Sequence, residues 1–379
     1  MKKALPEIQR ALNISILNEC VTKIINKKII NVKEWSLEAI SDVSPNFTTD
    51  GIFRIYGTVV VSEKEIPWSL ILKIIKPEQV EKNNPQHHNY WKREALVNQS
   101  GVLTDLPDVI YAPQCYKVEE KGNDSVWLWM EEIKEDNKQL WSEKEFAFIA
   151  RQLGIFNGAY ITEKTIPDYT WICSKWLKSW VNGCKKHSVD PTIYLSKVQN
   201  LSNLDSIYNS YVYLNKNLDK HYNALDNLPR VLAHQDLSKQ NMYINLHNCT
   251  KKQLTLIDWQ FLSISGLGED LGKLYGVALS QQDIPIEKGE YYKELLFTNY
   301  IDGLREAGWN GDVTLPKYGF YVSFALRSAW EVPKLIKLAA DSVVEYEKEK
   351  IHLIEILTRI TSIQMELGKE ADRIYPILI

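Results

Sequence analysis

Cysteine is scarce in this chain: it has only five among 379 residues, and no two of them form a C-x-x-C pair. An odd number of widely scattered cysteines argues against a disulfide framework and against a cysteine zinc site. Such usage is typical of a reducing compartment, so we expect a cytoplasmic protein. The cysteines are Cys20, Cys115, Cys173, Cys184 and Cys249.

Long apolar runs and an excess of positive charge are also missing. No window approaches the roughly 18 apolar residues of a membrane-spanning helix, and the N-terminus lacks the apolar stretch of a signal peptide. The 45 Lys and Arg residues are balanced by 48 Asp and Glu. This balance excludes the strong positive field of a general nucleic-acid binder. We therefore expect neither a nucleic-acid partner nor a membrane partner.

The remaining composition, 45% hydrophobic and 25% charged, is that of an ordinary globular protein. At this length two lobes are favoured over a single core. The first third reads as strands: apolar, β-branched runs over residues 52–62 and 68–75 flank a polar turn at 63–65 and predict an antiparallel hairpin. A helix and two further strands are predicted after it, over residues 90–97, 116–119 and 126–133.

From about residue 135 the pattern becomes helical. Residues 143–159 place Phe146, Ile149, Leu153 and Phe156 on one stripe, as an amphipathic helix requires. Helical periodicity also covers residues 193–225 and most of 288–367, while residues 231–262 form one strand-rich island between them. The sequence thus predicts a strand-rich part followed by a larger helical part that contains an inserted hairpin.

The island carries three polar residues that a hairpin would bring to one end. Residues 234–241 read H-Q-D-L-S-K-Q-N, and residues 257–259 read I-D-W. The oxygens of Asn241 and Asp258 suit Mg²⁺, which also takes waters and phosphate oxygens as ligands. Asp236 suits a group that accepts the proton of a hydroxyl or orients it. Each residue also has an ordinary interpretation, as a turn cap, the start of a strand or a surface acid.

These two segments resemble the catalytic loop and the metal-binding motif of the aminoglycoside phosphotransferase/choline kinase-like family. The resemblance implies an α+β, bilobal protein-kinase-like fold with a small antiparallel-sheet N-lobe (residues 1–133) that binds nucleotide. A large, mainly helical C-lobe (residues 134–379) would hold the catalytic hairpin and the acceptor-binding helices. It implies transfer of the γ-phosphate of ATP, or of GTP, to a small-molecule hydroxyl with Mg²⁺. Asp236 would be the catalytic base, Asn241 and Asp258 the metal ligands, and His234 a structural support.

Two charged residues of the first part match the same family in order. Lys73 stands inside an apolar run, where a buried lysine needs a partner, and it matches the lysine that contacts the α/β-phosphates. Glu94, on the following predicted helix, matches the glutamate that pairs with that lysine. Taken singly, Lys73 could be a charge on an edge strand and Glu94 part of a solvated helix face.

Two further segments match the family. W-L-W-M-E-E-I, residues 127–133, resembles the hinge, where the resemblance implies that backbone groups around Glu131, Glu132 and Ile133 hold the adenine. A plain buried strand is the alternative. G-L-G-E-D-L-G, residues 266–272, resembles the G-x-x-x-x-D-L segment, in which Asp270 would support the catalytic loop.

The sequence departs from the family at three places. Gln235 stands where glycine is usual, and Gln260 where glutamate is common; neither position is a direct ligand. Residues 44–51, S-P-N-F-T-T-D-G, lack the G-x-G-x-x-G of protein kinases. Their backbone amides could approach phosphate, or the segment could be a hairpin loop without a ligand.

The acceptor is expected to be a small molecule. Asp258 and Asp270 are separated by too little chain for the peptide-docking segment of protein kinases, and neither A-P-E nor D-F-G occurs. The acceptor would be an aminoglycoside, an amino sugar, a choline-like compound or another alcohol; a cationic one is expected if Glu269, Glu331 and Asp341 face the cleft. Rival interpretations are a nucleotide-binding pseudokinase or adaptor, and a protein kinase. The candidate lining residues are Trp171, Trp176, Trp180, Trp259, Tyr321, Arg327, Trp330 and Glu331.

Overall fold

The structure is a computed structural model that describes residues 5–27, 30–40, 48–77, 80–134, 141–198, 203–247, 251–341 and 348–378. Its helices are α1 (Leu5–Ala11), α2 (Ile14–Ile25), α3 (Arg93–Ser100), α4 (Glu143–Thr162), α5 (Trp176–His187), α6 (Thr192–Leu195), α7 (Leu204–Lys216), α8 (Leu218–Asn227), α9 (Glu269–Ser280), α10 (Gly289–Glu306), α11 (Thr314–Leu326), α12 (Ser328–Ala340) and α13 (Lys348–Leu378). Its strands are β1 (Ser36–Ala39), β2 (Thr49–Val61), β3 (Lys64–Ile75), β4 (Ile110–Tyr111), β5 (Cys115–Lys121), β6 (Ser125–Glu131), β7 (Arg230–Ala233), β8 (Met242–His247), β9 (Lys251–Leu256) and β10 (Ser263–Gly266).

An antiparallel sheet in the order β1-β2-β3-β6-β5 dominates the first part of the chain. The predicted hairpin is confirmed, because β2 and β3 pair from Thr49↔Ile75 to Val61↔Lys64. Its turn is shorter than predicted and consists of Ser62 (φ 50°) and Glu63 (φ 65°). Two consecutive left-handed residues give the backbone twist that suits a two-residue hairpin turn. Lys64 therefore belongs to β3 and not to the turn.

The sheet and the helices have separate hydrophobic cores. Sheet residues such as Leu70 and Trp129 pack with residues of α1 and α2, among them Ile8 and Leu17. The larger core, of the helical part, also takes in residues that precede position 134, for example Ile110 of β4. A third, smaller cluster joins sheet residues such as Leu128 to Ala95 of α3. Separate cores for the sheet and the helices fit a two-lobed molecule, and the boundary at residue 134 stays a prediction. Among the described residues, no helix combines the length and the apolar character needed to cross a membrane.

The predicted helix over residues 143–159 is α4, which begins directly after its N-cap residue, Ser142, and has a capping box. Ser142 accepts a hydrogen bond from the backbone N–H of Lys144, and the side chain of Glu145 accepts from the backbone of Ser142, which satisfies donors at the helix start. The other helical patterns are interrupted: residues 193–225 form α6, α7 and α8, and residues 288–367 form α10, α11, α12 and most of α13.

Glycines let α4 and α10 approach closely. A Cβ on Gly154 would lie 2.1 Å from the carbonyl oxygen of Tyr300, and one on Gly303 would lie 2.1 Å from that of Arg151. We expect Gly154→Ala to lower the free energy of unfolding by about 1–3 kcal/mol, because the helices must separate to admit the methyl group. Chemical denaturation measures this. Gly368→Ala in α13 is the control, because its Cβ meets nothing nearer than 3.5 Å.

The strand-rich island positions the two motifs at residues 234–241 and 257–259. β8 and β9 pair antiparallel from Met242↔Leu256 to His247↔Lys251, and β7 pairs with β10. β4, from the first part of the chain, adds to β9 in parallel. This last pairing was not predicted, since a two-residue strand carries no periodic pattern.

Candidate active site

The loop after β7 is braced by a neutral histidine. The backbone N–H of Asp236 donates to His234 Nδ1 at 3.2 Å, so His234 Nε2 carries the ring proton and donates to the carbonyl oxygen of Ile257 at 3.0 Å. Burial lowers the pKa of His234 to about 4, which keeps the ring neutral at physiological pH. The ring thereby ties the loop that carries Asp236 to the residue that precedes Asp258.

Asp270, at the start of α9, holds the backbone of the same loop. Its two carboxylate oxygens accept the N–H groups of His234 and Gln235, each at 2.8 Å. Burial raises the pKa of Asp270 to about 6, although both hydrogen bonds favour the ionised form. Gln235 has φ 59°, a region that glycine enters without penalty. This explains why glycine suits the position, and here the Gln235 side chain donates to Ser265 Oγ at 3.0 Å.

Asp236 and Asn241 are joined through the loop backbone. The amide nitrogen of Asn241 donates to the carbonyl oxygen of Asp236 at 3.0 Å, which leaves its side-chain oxygen without a partner in the described part of the chain. The backbone of Asn241 accepts the N–H of Ile257 at 3.0 Å, so Asn241 lies next to the Asp258 segment. Burial raises the pKa of Asp236, against the opposing effect of Lys273.

Lys73 lies between two carboxylates. Its Nζ is 2.7 Å from Glu94 Oε2 and 2.8 Å from Asp258 Oδ1, so β3, α3 and the metal-binding motif meet at one ammonium group. The two carboxylates raise the pKa of Lys73 despite its burial. The contact with Glu94 is the one that the sequence resemblance implies, and the contact with Asp258 was not predicted.

The residues expected to hold Mg²⁺ fit such an ion in their chemistry. Asp258 adopts a left-handed backbone (φ 62°, ψ 64°), and its Oδ2 accepts from Gln260 Nε2 at 3.3 Å. Among the described residues, no three His, Cys, Asp or Glu side chains form a metal cage. One carboxylate and one amide oxygen are the protein share of a Mg²⁺ site that waters and phosphates complete.

A cavity of about 310 Å³ adjoins the predicted hinge. Its lining includes all three hinge residues of the prediction, together with residues of β4, β8 and β9. The N–H of Glu131 is already bonded to the carbonyl oxygen of Gln114 at 2.8 Å. The backbone N–H of Glu131 is therefore occupied, and the backbone groups of the residues after Glu131 are the ones that could bind a ligand in this cavity. Its lining residues are Tyr111, Glu131, Glu132, Ile133, Lys134, Asn245, Gln253 and Thr255.

The segment expected to cover phosphate is described only from Thr48 onward, since residues 44–47 lie outside the described ranges. The hydroxyl of Thr48 donates to Gln260 Oε1 at 3.3 Å, and Gln260 in turn donates to Asp258. Gln260 thus links the start of β2 to the metal-binding motif. A glutamine can donate and accept at once, which glutamate in its ionised form cannot do.

The candidate acceptor residues separate into two groups. Trp259 packs against Phe156 and His234, Tyr321 is buried, Trp171 stacks on Tyr169, and Trp330 is 44% exposed. Trp176, Trp180, Arg327 and Glu331 instead lie together near α9: the two indole rings stack at 6.3 Å, and the guanidinium of Arg327 covers the Trp180 ring at 5.1 Å.

Two of the three acids considered for a cationic acceptor have different surroundings. Glu269 accepts the N–H of Gly266 at 2.6 Å and lies 4.0 Å from Arg230. Asp341 is exposed at the end of α12. The expectation of a cationic acceptor stays a prediction.

Sequence reasoning missed Lys273 and Arg93. Lys273, one turn after Asp270 on α9, has Nζ 3.5 Å from Asp236 Oδ1. Arg93 is fully buried and donates to backbone carbonyl oxygens only, including those of His88 at 2.8 Å and Gln260 at 3.4 Å. A lysine three residues after Asp270 was the one available signal, because residues three apart share a helix face.

Two solved kinase structures are similar to this chain. The chain is similar to amicoumacin kinase hAmiN, whose structure contains AMP-PNP, Ca²⁺ and Ami, with 12% identity, a TM-score of 0.52 and coverage of 97% of this chain and 96% of that one. It is also similar to the microcompartment-associated aminopropanol kinase, with 11% identity, a TM-score of 0.53 and coverage of 95% and 98%. Identities this low speak for the fold alone. The protein-kinase-like fold that the sequence resemblance implies is confirmed.

Sequence comparisons give less extensive matches than the structural ones. A family model described as "Uncharacterized oxidoreductase dhs-27" (DUF1679) matches residues 170–352, just under half of the chain. No curated protein matches the sequence significantly.

The described residues give no support to a dinucleotide-binding turn at G-L-G-E-D-L-G, residues 266–272. Such a turn follows a strand of a parallel sheet, and its glycines let the backbone approach a pyrophosphate. Here β10 pairs antiparallel with β7. A Cβ on Gly268 would lie 2.1 Å from the carbonyl oxygen of Pro316, and one on Gly272 would lie 2.7 Å from that of Phe320. The space beside these glycines is filled by α11.

Proposed function

We propose that this protein transfers the γ-phosphate of ATP or GTP to a hydroxyl group of a small molecule, with Mg²⁺. The observation that carries the proposal is the meeting of Lys73, Glu94 and Asp258 at one ammonium group. Asp236 and Asn241 are tied to the same segment through Ile257. These are the residue types and the order that phosphoryl transfer requires, and they come from four separate elements.

Each residue has a distinct part in the proposed reaction. Glu94 orients Lys73, whose ammonium contacts the α- and β-phosphates, and Asn241 and Asp258 hold the metal ion. Asp236 orients the acceptor hydroxyl and accepts its proton as the oxygen bonds to the γ-phosphorus. The bond from that phosphorus to the bridging oxygen breaks, and the nucleoside diphosphate leaves. Mg²⁺, when bound, neutralises charge on the β- and γ-phosphates.

The adenine is proposed to occupy the cavity lined by Glu131, Glu132 and Ile133, beside β8 and β9. Tyr111 and Ile133 are the aromatic and apolar members of its lining, which is otherwise polar, and backbone groups of the hinge would orient the base by hydrogen bonds. The neighbours of known structure support a kinase that uses a nucleotide as phosphate donor, because one of them was solved with AMP-PNP and Ca²⁺.

A small acceptor is favoured by the short connection after Asp258. A 3₁₀ turn (Trp259–Phe261), β10 and the start of α9 occupy that stretch, and no length remains for a peptide-docking platform. Both similar structures bear the names of small-molecule kinases. A protein kinase is therefore the weaker alternative. A nucleotide-binding pseudokinase is disfavoured because a binding module has no need of Asp236.

The test is phosphoryl transfer from ATP and from GTP to a panel of aminoglycosides, amino sugars, choline and amino alcohols, with and without Mg²⁺. We expect Mg²⁺-dependent formation of a phosphorylated alcohol with at least one class. Mg²⁺-dependent nucleotide binding with no transfer to any alcohol would favour the pseudokinase. Reduction or oxidation of a nicotinamide cofactor by the purified protein would contradict the proposal and support the oxidoreductase description.

A further inference from the structure

Two buried, oppositely charged side chains at the start of α12 each have one polar atom without a hydrogen bond to any described residue. Arg327 is 9% exposed and Glu331 is 6% exposed. Arg327 Nε and Glu331 Oε2 are shielded from solvent and have no hydrogen-bond partner in the described part of the chain. The two residues are four apart on one helix face, yet they form no ion pair with each other. Gln364 is hydrogen-bonded to Glu331, and the Arg327 guanidinium covers the Trp180 ring. A buried polar atom that makes no hydrogen bond still costs free energy, so Arg327 Nε and Glu331 Oε2 are suited to a ligand.

Their electrostatic surroundings agree with this view. Burial raises the pKa of Glu331, while Arg327 and the Gln364 amide of α13 act in the opposite direction. Arg327 and Glu331 are thus close enough to affect each other without contact. A guanidinium and a carboxylate that lie close together without an ion pair provide one group for an anion and one for a cation.

This pair lies on the side of Asp236 that faces α9. Lys273 Nζ is 3.5 Å from Asp236 Oδ1, and the charge of Arg327 helps to lower the pKa of Lys273 after the larger effect of burial. Gly276, one turn beyond Lys273, provides room: Cδ and Nε of Arg327 would lie 2.7 Å from a Cβ at that position. The Arg327 side chain therefore crosses α9 close to Lys273, whose ammonium contacts Asp236, the proposed base.

The surrounding wall is aromatic. Trp176 lies 5.7 Å from Lys273 Nζ, and Trp180 lies under the guanidinium of Arg327 at 5.1 Å. The indole nitrogen of Trp176 is a further buried donor without a partner. Flat apolar walls with a few unpaired polar groups are typical of small-ligand sites.

We propose that Arg327 and Glu331 bind the carboxylate and the ammonium of a zwitterionic acceptor, a small hydroxyl-bearing amino acid, whose hydroxyl lies at Asp236. The planar guanidinium fits a carboxylate through two parallel hydrogen bonds. An amino alcohol would leave Arg327 without an anion, and a hydroxy acid would leave Glu331 without a cation. This inference rests on the proposed phosphotransferase function, because that function makes Asp236 the destination of the hydroxyl.

The first experiment compares ligands that differ by one charged group. L-serine, L-threonine and L-homoserine are each tested against the amino alcohol that lacks the carboxylate (ethanolamine, 1-amino-2-propanol and 3-aminopropanol). Each is also tested against the hydroxy acid that lacks the ammonium (3-hydroxypropionate, 3-hydroxybutyrate and 4-hydroxybutyrate). Binding is measured by calorimetry in the presence of Mg²⁺ and AMP-PNP or its GTP counterpart. At least one amino acid is expected to bind about tenfold or more tightly than both of its analogues.

The second experiment assigns the groups. Arg327→Met is expected to weaken amino acid binding about tenfold and leave amino alcohol binding within about twofold. Glu331→Gln is expected to weaken amino acid binding about tenfold and leave hydroxy acid binding within about twofold. Lys337→Met, at an exposed position of α12, is the control and should change neither. The nucleotide-induced rise in melting temperature shows that each variant is folded.

The outcomes separate this inference from the proposed function. A full nucleotide response with no preference for any amino acid over its analogues overturns the acceptor assignment and leaves the kinase proposal standing. Equal losses of amino acid and amino alcohol binding in Arg327→Met also overturn it. Loss of Mg²⁺-dependent nucleotide binding in the unmodified protein would instead count against the proposed function, and the acceptor assignment would fall with it.

Discussion

Replacing Asp236 with asparagine is expected to lower phosphoryl transfer by about 10²–10⁴-fold, the usual contribution of a general base, and to leave nucleotide binding intact. Asparagine keeps the shape of the side chain and still accepts a hydrogen bond from Lys273, but it cannot take up the acceptor's proton. Asp236 contacts neither Lys73 nor Asp258, so the nucleotide-binding groups should keep their positions. Transfer rates and calorimetric nucleotide affinities measure the two effects separately.

The matched control is Asp226→Asn. Asp226 also pairs with a lysine, Lys175 at 3.2 Å, but on the surface, so the change should leave the rate within about twofold because exposed ion pairs contribute little. An unchanged rate in Asp236→Asn would rule out the assigned role. So would loss of nucleotide binding from a variant that melts at the temperature of the unmodified protein.

Replacing Lys73 with methionine is expected to destabilise the protein by about 3–5 kcal/mol near neutral pH, as breaking a buried ion pair from one side does. The change leaves Glu94, whose side chain is 3% exposed, facing Asp258 without a cation. It should also abolish high-affinity nucleotide binding, because no ammonium would contact the phosphates. Urea denaturation at several pH values measures the stability effect.

The destabilisation should grow with pH. Burial already raises the pKa of Glu94 from 4.5 to about 7, against the pull of Lys73. Without Lys73 the pKa rises further, so the folded state keeps a proton that the unfolded chain releases above about pH 4.5. The free energy of unfolding of the variant should therefore fall from about pH 4.5 to beyond pH 7, and it should continue to fall at pH values where the contribution of Glu94 in the unmodified protein has levelled off.

Two variants control this experiment. Lys64→Met removes an exposed lysine at the start of β3, and it should cost no more than about 0.5 kcal/mol. Glu94→Gln combined with Lys73→Met should restore part of the lost stability, because it removes the uncompensated carboxylate. A Lys73→Met protein that is as stable as the control at pH 8 would contradict the proposed burial of the pair.

The catalytic hairpin could be predicted because its signals are local. Alternating apolar residues set β8 and β9, and the fixed spacing of Asp236 and Asn241 placed both on one loop. Asp258 follows β9 directly, so the register of a single hairpin decides where it lies. The family resemblance related Lys73 to Glu94, and strand and helix propensity placed the two residues on elements in the matching order.

The acceptor side could not be predicted in this way. Lys273, Arg327 and Trp180 belong to three helices, and their proximity depends on how those helices cross. Gly276 admits Arg327 across α9, but a glycine in a helical pattern does not say which side chain will fill its space. The same limit applies to Glu269: its charge suggested a cleft residue, but the sequence did not show that it accepts a hydrogen bond from Gly266, in the turn before its own helix.

The most direct test of the account is a thermal-shift series with ATP, GTP and Mg²⁺, alone and combined, on the unmodified protein and on Asp258→Ala. A ligand that binds only the folded state raises the free energy of unfolding, by about 2.7 kcal/mol at one hundred times its Kd. We predict that nucleotide and Mg²⁺ together raise the melting temperature more than either alone, and that Asp258→Ala loses this Mg²⁺-dependent part. No shift with any nucleotide at millimolar concentration, or an equal Mg²⁺-dependent shift in Asp258→Ala, would contradict the proposed nucleotide site.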